Sequence, residues 1–166
     1  HKSGNVLTKG DVIKWAMSGD INQDKVRIVY ENDEVGVHHS FVTFDDGNVE
    51  AVIISNTTDK NRENLSNINK LEKGGLSGKP LEKTSNELIN KFYKILKNKI
   101  KIIGVGGVDS GQSAYEKIIN GANLVQLYTG MIYKGPSIAA KISEELINIL
   151  EKEGVKNISD IVGSKK

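Results

Sequence analysis

From Glu50 onward, short apolar segments alternate with longer segments in which apolar residues recur at helical spacing. The apolar segments are residues 51–54, 100–103 and 124–128, and helical spacing is found over residues 88–96, 113–120 and 138–150. Continuous apolar runs are typical of parallel strands that are buried on both faces. Strand and helix in alternation predict right-handed βαβ units and a parallel sheet, so the predicted fold class is α/β.

The first 49 residues have a different pattern. Apolar and polar side chains alternate over residues 25–30 and 35–44, which predicts half-buried antiparallel strands. Turn-forming residues at 31–34 separate these strands, and a short helix is predicted over residues 11–17. The sequence therefore predicts two parts: residues 1–49, a helix plus a β-hairpin segment, and residues 50–166, the α/β part.

Charge and composition argue against several classes of function. The chain has 23 basic and 21 acidic residues, and this small net charge of +2 gives no reason to expect nucleic-acid binding. The absence of cysteine excludes disulfides, thiol nucleophiles and cysteine-based zinc sites. No metal site is predicted, because the adjacent His38 and His39 would point to opposite faces of a strand. No apolar stretch is long enough to span a bilayer.

The loop after the second apolar segment is rich in glycine and contains Gly104, Gly106, Gly107 and Gly111. Glycines allow backbone N–H groups to approach an anion closely, and the N-terminus of the following helix adds a favourable dipole. The loop therefore predicts a phosphate site, although a glycine-rich turn without a ligand explains it equally well. It is not the dinucleotide-binding motif, because Asp109 stands where the third glycine would fall.

Three further loops are polar or rich in glycine. Tyr128 and Thr129 end the third apolar segment, where a hydroxyl and backbone N–H groups would complete a phosphate site; the alternative is that Tyr128 is a core aromatic residue. Residues 55–58, Ser-Asn-Thr-Thr, suit a planar polar ligand, but a local turn is the simpler explanation of them alone. Residues 74–80 form a glycine-rich loop in which Pro80 excludes helix at Lys79. Backbone exposed to a cofactor and a mobile turn explain this loop equally well.

The ordered set of motifs is more specific than any one of them. The motifs are Ile-Ile-Ser-Asn-Thr-Thr at 53–58, Gly-Gly-Leu-Ser-Gly-Lys-Pro-Leu at 74–81, Ile-Gly-Val-Gly-Gly-Val at 103–108 and Gly-Ala-Asn-Leu-Val-Gln-Leu-Tyr-Thr at 121–129, with Gly-Pro at 135–136 before the last helix. In this order and spacing, the region from residue 50 to the C-terminus resembles the final part of class 2 dihydroorotate dehydrogenases.

The resemblance implies the C-terminal βα units of an eight-stranded (β/α)8 barrel of the TIM type, with FMN as cofactor. The family oxidises dihydroorotate to orotate in pyrimidine biosynthesis and passes the electrons to a quinone. By matching position, Asn56 and Thr57 would bind the orotate. The residues that would touch the flavin are Ser55, Ser77 and Gly78, and those that would hold its phosphate are Gly106, Gly107, Tyr128 and Thr129.

The sequence departs from the family pattern in ways that bear on activity. Three predicted parallel strands stand against the eight of a barrel. The family's catalytic serine and its flavin-contacting lysine have no counterpart here, so no catalytic residue is assigned and the isolated chain is expected not to turn over dihydroorotate. The N-terminal extension that associates the class 2 family with membranes is also missing from this sequence. A partial barrel would expose strand edges, which predicts self-association or a partner that completes the sheet.

The segment over residues 30–47 resembles the β-hairpin of SnoaL-like or nuclear-transport-factor-2-like proteins, which are small cone-shaped α+β folds. This resemblance suggests a composite chain that is joined near residue 50. Two alternatives to the dehydrogenase therefore follow. One is a non-catalytic remnant or chimera that still binds phosphate or flavin, and the other is a SnoaL-like protein that binds a small ligand.

Overall fold

The protein is described by a computed structural model that covers most residues from position 49 onward and three short strands before it. The described residues are 30–32, 35–37, 41–43, 49–58, 62–63, 65–72 and 74–165. The predicted helix over residues 11–17, most of the predicted strand over residues 25–30, and both His38 and His39 lie outside them.

Two short strands form a separate antiparallel pair. β1 (Tyr30–Asn32) pairs with β2 (Val35–Val37), and Tyr30 lies opposite Val37. The strand predicted over residues 35–44 is wrong as one element, because β3 (Phe41–Thr43) belongs to a different sheet. Alternation of polar and apolar residues reports the pleat of a strand, but it does not report which strand is its partner.

The main sheet has four strands in the order β3, β4 (Val49–Ile54), β5 (Lys101–Val105) and β6 (Leu124–Gln126). β3 is antiparallel to β4, with a register irregularity between Val42 and Thr43. β4, β5 and β6 are parallel, which confirms the α/β class and the three predicted parallel strands. The β3–β4 pairing crosses residue 50, where the sequence pattern changes.

β5 extends two residues beyond its predicted end. Gly104 continues the strand and lies between Ile54 of β4 and Val125 of β6. A Cβ on Gly104 would approach the side chains of Ile89 and Ala122 to 3.0 Å. The glycine therefore provides room for packing over the middle of the sheet and does not end the strand.

Among the described residues, four helices accompany the sheet: α1 (Glu82–Leu96), α2 (Gly111–Ile119), α3 (Thr129–Lys134) and α4 (Ile138–Lys152). The first, second and fourth confirm the predicted helices. α1 begins directly after a 3-10 turn at Lys79–Leu81, so the prediction that Pro80 excludes helix at Lys79 is wrong. Proline is well tolerated in a first turn, where its missing N–H is not needed.

Burial of apolar side chains fixes these helices on the sheet. One core cluster joins Val52 and Ile54 of β4 to Ile102 of β5 and to Ile89 and Leu96 of α1. A second cluster contains Val108, Ala114, Ile138 and Ile142 and joins α2 to α4. Within the described part of the chain, every helix is too short or too polar to cross a membrane.

Candidate functional site

A pocket of about 700 Å³ lies at the carboxyl ends of β4, β5 and β6. Loops that follow parallel strands meet at one edge of the sheet, which is where ligands bind in α/β folds. The nine predicted site residues all line this one pocket: Ser55, Asn56, Thr57, Ser77, Gly78, Gly106, Gly107, Tyr128 and Thr129. The structure thus brings together residues from four separate loops.

The loop after β5 can exist only with glycine at its centre. Gly106 and Gly107 have φ values of 108° and 77°, which side chains rarely tolerate. A Cβ on Gly107 would lie 2.7 Å from the Cα and 2.8 Å from the backbone nitrogen of Glu82, at the start of α1. Backbone at residues 106–107 therefore lines the pocket without side chains, as an anion cradle requires.

The N–H groups at the N-terminus of α2 are hydrogen-bonded to side chains of the protein itself. The N–H of Gly111 donates to the Glu145 carboxylate of α4 at 2.6 Å. The N–H groups of Asp109 and Ser110 donate to the Ser113 hydroxyl at 2.9 and 3.0 Å. The favourable dipole expected to assist a phosphate thus stabilises an intramolecular carboxylate, and the cradle consists of the two glycines and their neighbours.

The glycine-rich loop over residues 74–81 contacts the segments that follow β4 and β6. Thr58 and Leu76 exchange two backbone hydrogen bonds, of 3.1 and 2.6 Å. The Thr129 hydroxyl donates to that of Ser77 at 3.0 Å. A Cβ on Gly78 would approach the Thr129 methyl group to 2.9 Å. These contacts place residues 77 and 78 directly against the loop that follows β6.

The loop after β4 combines a buried serine with a local turn. Ser55 is buried, and its N–H donates to the Val105 carbonyl at 3.3 Å. The Asn56 side-chain oxygen accepts from the Thr57 N–H at 2.8 Å. The oxygen therefore takes part in a local turn, which was the simpler explanation of residues 55–58 from the sequence. The Thr57 side chain packs against Gly75, where any Cβ would overlap it.

Tyr128 is 76% exposed, so the alternative that it is a core aromatic residue is wrong. β6 ends at Gln126, two residues earlier than predicted, and Tyr128 immediately precedes α3. Its ring thus stands at the rim of the pocket. Thr129, the first residue of α3, lies deeper because of its contact with Ser77.

The comparisons with known proteins agree with this geometry. A family model described as dihydroorotate dehydrogenase matches residues 32–150, which is more than half of the chain. This chain belongs to the dihydroorotate dehydrogenase family. The resemblance found from the sequence motifs is therefore confirmed.

Dihydroorotate dehydrogenases that use quinone are among the most similar curated proteins. The protein of Deinococcus radiodurans is 44% identical over 118 residues, which are 71% of this chain and 32% of that protein. The mitochondrial protein of Arabidopsis thaliana is 47% identical over 118 residues, which are 70% of this chain and 25% of that protein. The chain thus spans about a quarter to a third of the length of these relatives.

A solved structure of a dihydroorotate dehydrogenase has the same local fold. The structure from Eimeria tenella in complex with ferulenol has a TM-score of 0.67 and 40% sequence identity. The match covers 70% of this chain and 31% of that one. The α/β arrangement around the pocket is therefore shared with a dihydroorotate dehydrogenase over the matched part.

Sequence reasoning missed a group of charged residues at the pocket. Asp109 lies between Lys79, whose ammonium is 3.3 Å from its carboxylate, and Lys134, at 3.5 Å. Lys134 also donates to the Asp109 carbonyl at 2.8 Å. The contacts join residues 30 and 25 positions apart, so no local pattern predicts them. The one available signal was a carboxylate in place of the third glycine.

These charges shift each other's proton affinities. The hydrogen bond to Glu82 is the main reason that the pKa of Lys79 is raised above 10.5, although partial burial opposes it. Partial burial alone would raise the pKa of Asp109, but the hydrogen bond from Lys79 and the charges of Lys79 and Lys134 lower it below 3.8. Lys79 and Asp109 are therefore both charged at neutral pH. The described residues contain no cluster of three or more metal-ligating side chains.

Proposed function

We propose that this chain forms the flavin-phosphate-binding, C-terminal part of an FMN-dependent dihydroorotate dehydrogenase. The reaction would be oxidation of dihydroorotate to orotate in pyrimidine biosynthesis, with a quinone as electron acceptor. The observation that carries the proposal is that nine residues, chosen from four motifs of the sequence, line one pocket at the strand ends. Membership of the dihydroorotate dehydrogenase family supports the reaction class.

FMN fits the pocket on two grounds. The cavity of about 700 Å³ suits a cofactor of this size. Gly106 and Gly107 leave bare backbone on one wall, which is how proteins approach a phosphate closely. The backbone N–H groups of Tyr128 and Thr129 would donate to the same phosphate, and the Thr129 hydroxyl would exchange its hydrogen bond to Ser77 for one to the phosphate. When bound, the flavin supplies the hydride acceptor, and the protein contributes binding and orientation.

The flavin and orotate ends would be held by the loops after β4 and before α1. Ser55, Ser77 and Gly78 would contact the flavin. Asn56 and Thr57 would bind the orotate. Because the Asn56 oxygen accepts from Thr57 N–H, its amide NH₂ is the group that would donate to the ligand.

The rest of the active site would come from sequence beyond the matched third of the relatives. β4, β5 and β6 with their helices would be the last βα units of a (β/α)8 barrel, formed by residues 50–166. Residues 1–49 would be a separate segment, although the family match already begins at residue 32. β6 lies at the edge of the sheet, and Leu124 at its start and Ile132 of α3 are exposed. A second copy or a partner that completes the sheet would cover them. Membrane association, as in class 2 proteins, would then depend on that partner.

The test is the visible absorption spectrum of the purified protein after incubation with excess FMN and removal of free flavin. We expect retained flavin at one molecule per chain. Thr129→Val keeps the side-chain shape but removes the hydroxyl, and should weaken FMN binding about tenfold or more, since a hydrogen bond to a charged group contributes about 1.5–3 kcal/mol. Ser143→Ala on exposed α4 also loses one hydroxyl hydrogen bond and should bind FMN normally.

Two results would count against the proposal: no retained flavin at any FMN concentration, or equal affinities for wild-type protein and Thr129→Val. Adding dihydroorotate to the flavin-loaded protein in the absence of oxygen distinguishes a catalytic protein from one that binds flavin without catalysis. Bleaching of the bound flavin would show substrate oxidation by this chain or its assembly. A bound flavin that stays oxidised would favour the remnant.

A further inference from the structure

Lys117 is a lysine with no exposed surface, and the site described above does not include it. It lies on α2, and its aliphatic stem crosses Gly104 of β5, where a Cβ would approach its Cδ to 3.2 Å. Its ammonium donates to the Ser85 hydroxyl at 2.9 Å and to the Asn86 side-chain oxygen at 3.0 Å, both on α1. A buried lysine is costly, so its retention calls for a physical reason.

The ammonium determines the direction of the next hydrogen bond. Lysine can only donate, so Ser85 must accept from Lys117 and direct its own hydrogen elsewhere. The Ser85 hydroxyl donates to the Val105 carbonyl at 2.6 Å. The chain of donors therefore runs one way, from Lys117 through Ser85 to the last residue of β5.

The Val105 carbonyl is held from two sides, by Ser85 and by the N–H of Ser55 at 3.3 Å. Its peptide group is shared with Gly106, the first residue of the cradle. Since a trans peptide is planar, with its C=O and N–H pointing in opposite directions, holding this carbonyl also fixes the direction of the Gly106 N–H. Ser85 also packs on Gly106 itself, where a Cβ would lie 3.3 Å from the serine Cβ.

We propose that Lys117 is a positioning residue for the phosphate cradle, acting through Ser85 to orient the Val105–Gly106 peptide for an anionic ligand. The inference rests on the proposed function for the identity of that ligand, a phosphate monoester such as that of FMN. Lys117 does not line the pocket, so it would act without touching the phosphate. One buried charge thus connects the α1–α2 packing to the β5 loop.

The surroundings of Lys117 make this link sensitive to pH. Burial lowers the pKa of Lys117 to about 8, and the Glu82 carboxylate on α1 partly opposes that effect. From β5, Gly104 faces the aliphatic stem of Lys117 and brings no charge. If the Lys117 ammonium loses its proton, Ser85 is no longer required to accept a hydrogen bond from it. The serine hydroxyl could then turn away from the Val105 carbonyl.

The first test needs no flavin. The amide resonance of Gly106 is followed by ¹H–¹⁵N NMR in wild-type protein from pH 7 to 9, a window above the usual histidine range near 6.5. We expect it to titrate with a midpoint near 8, as the pKa of Lys117 requires. Ser85→Ala keeps the Cβ contact, leaves Lys117 in place and should abolish the Gly106 response. Tyr115→Phe, on the same helix and hydrogen-bonded to Glu153, is the matched control and should keep it.

The second test is a double-mutant cycle on FMN affinity at pH 7. Lys117→Met and Ser85→Ala should each weaken binding roughly tenfold, the equivalent of one charge-assisted hydrogen bond. Both changes break the same chain of donors. The double variant should therefore bind FMN no less tightly than the single variant that has the lower FMN affinity. If Lys117 affected FMN binding independently of Ser85, the two losses would instead add.

The outcomes distinguish the two proposals. A Gly106 amide that titrates equally in wild-type protein and Ser85→Ala, or that does not titrate at all, overturns the role of Lys117, as do additive losses of FMN affinity. If the wild-type protein binds no FMN, the proposed function fails while the Gly106 titration still decides the inference. Should Lys117→Met not fold, the comparison with Ser85→Ala still applies.

Discussion

Gly107→Ala is the substitution that most directly tests the cradle. Residue 107 has a φ of 77°, and a Cβ there would meet Glu82 at its Cβ (2.6 Å), Cα (2.7 Å) and backbone nitrogen (2.8 Å). Two of these three atoms are backbone at the junction of the 3-10 turn and α1. The methyl group can therefore be accommodated only if the β5 loop and the start of α1 move apart.

The cost has two separable parts. Positive φ costs a residue with a Cβ about 1–2 kcal/mol. Overpacking against atoms that cannot rotate away adds about 1–3 kcal/mol. We therefore expect Gly107→Ala to lower the free energy of unfolding by about 2–5 kcal/mol and to abolish FMN retention.

Gly154→Ala is the matched control. Gly154 follows α4 with a φ of 69°, and a Cβ there would meet nothing within 4 Å. It should lose only the 1–2 kcal/mol that positive φ costs and should bind FMN normally. Urea unfolding followed by far-ultraviolet circular dichroism measures both variants. Equal losses of stability for the two would refute the argument that close approach to Glu82 is what requires glycine at position 107.

Three further predictions concern helix caps and proton linkage. Ser110 and Ser113 form a reciprocal capping box at α2, so Ser110→Ala should cost about 1 kcal/mol in urea unfolding; an unchanged midpoint would contradict this. The hydrogen bond to Glu153 raises the pKa of Tyr115 from 10.0 to about 12, so its contribution to stability is complete below pH 10 and is lost as the pH rises towards 12. An alkaline absorbance titration should show a late tyrosine signal that Tyr115→Phe removes. Burial lowers the pKa of Lys117 from 10.5 to about 8, so wild-type stability should rise between pH 8 and 10 relative to Lys117→Met; parallel pH profiles would exclude this.

The order of strands and helices could be predicted from the sequence because each element is indicated by residues that are close together in the chain. The apolar runs that became β4 and β5, and the helical spacing of α1 and α4, depend on neighbours within a few residues. Glycines at 106 and 107 marked the cradle for the same reason, since their backbone requirement can be read at the position itself.

The remaining features depend on contacts between distant residues. The separation of β2 from β3 is set by their partners, and the sequence pattern does not encode those partners. Tyr128 is exposed because β6 ends two residues early, which its apolar neighbours did not indicate. Glu145 occupies the N-terminus of α2 from 34 residues away, and Lys117 reaches Ser85 across 32. Pairings of this kind are properties of the assembled fold.

The two edges of the main sheet differ in how well β3 and β6 could pair with a strand of another chain. β3 covers the six-residue strand β4 with only three residues, and its register is broken between Val42 and Thr43. An edge strand with an irregular register is a poor template for another chain, so the addition of further strands on the β3 side is disfavoured. β6, at the other edge, is equally short but pairs with β5 in regular register, so it is the edge of the described sheet that is better suited to pair with another strand. A sheet with only one edge available for pairing is monovalent. Two copies that pair through this edge form a closed dimer, whereas two available edges would permit open-ended filaments.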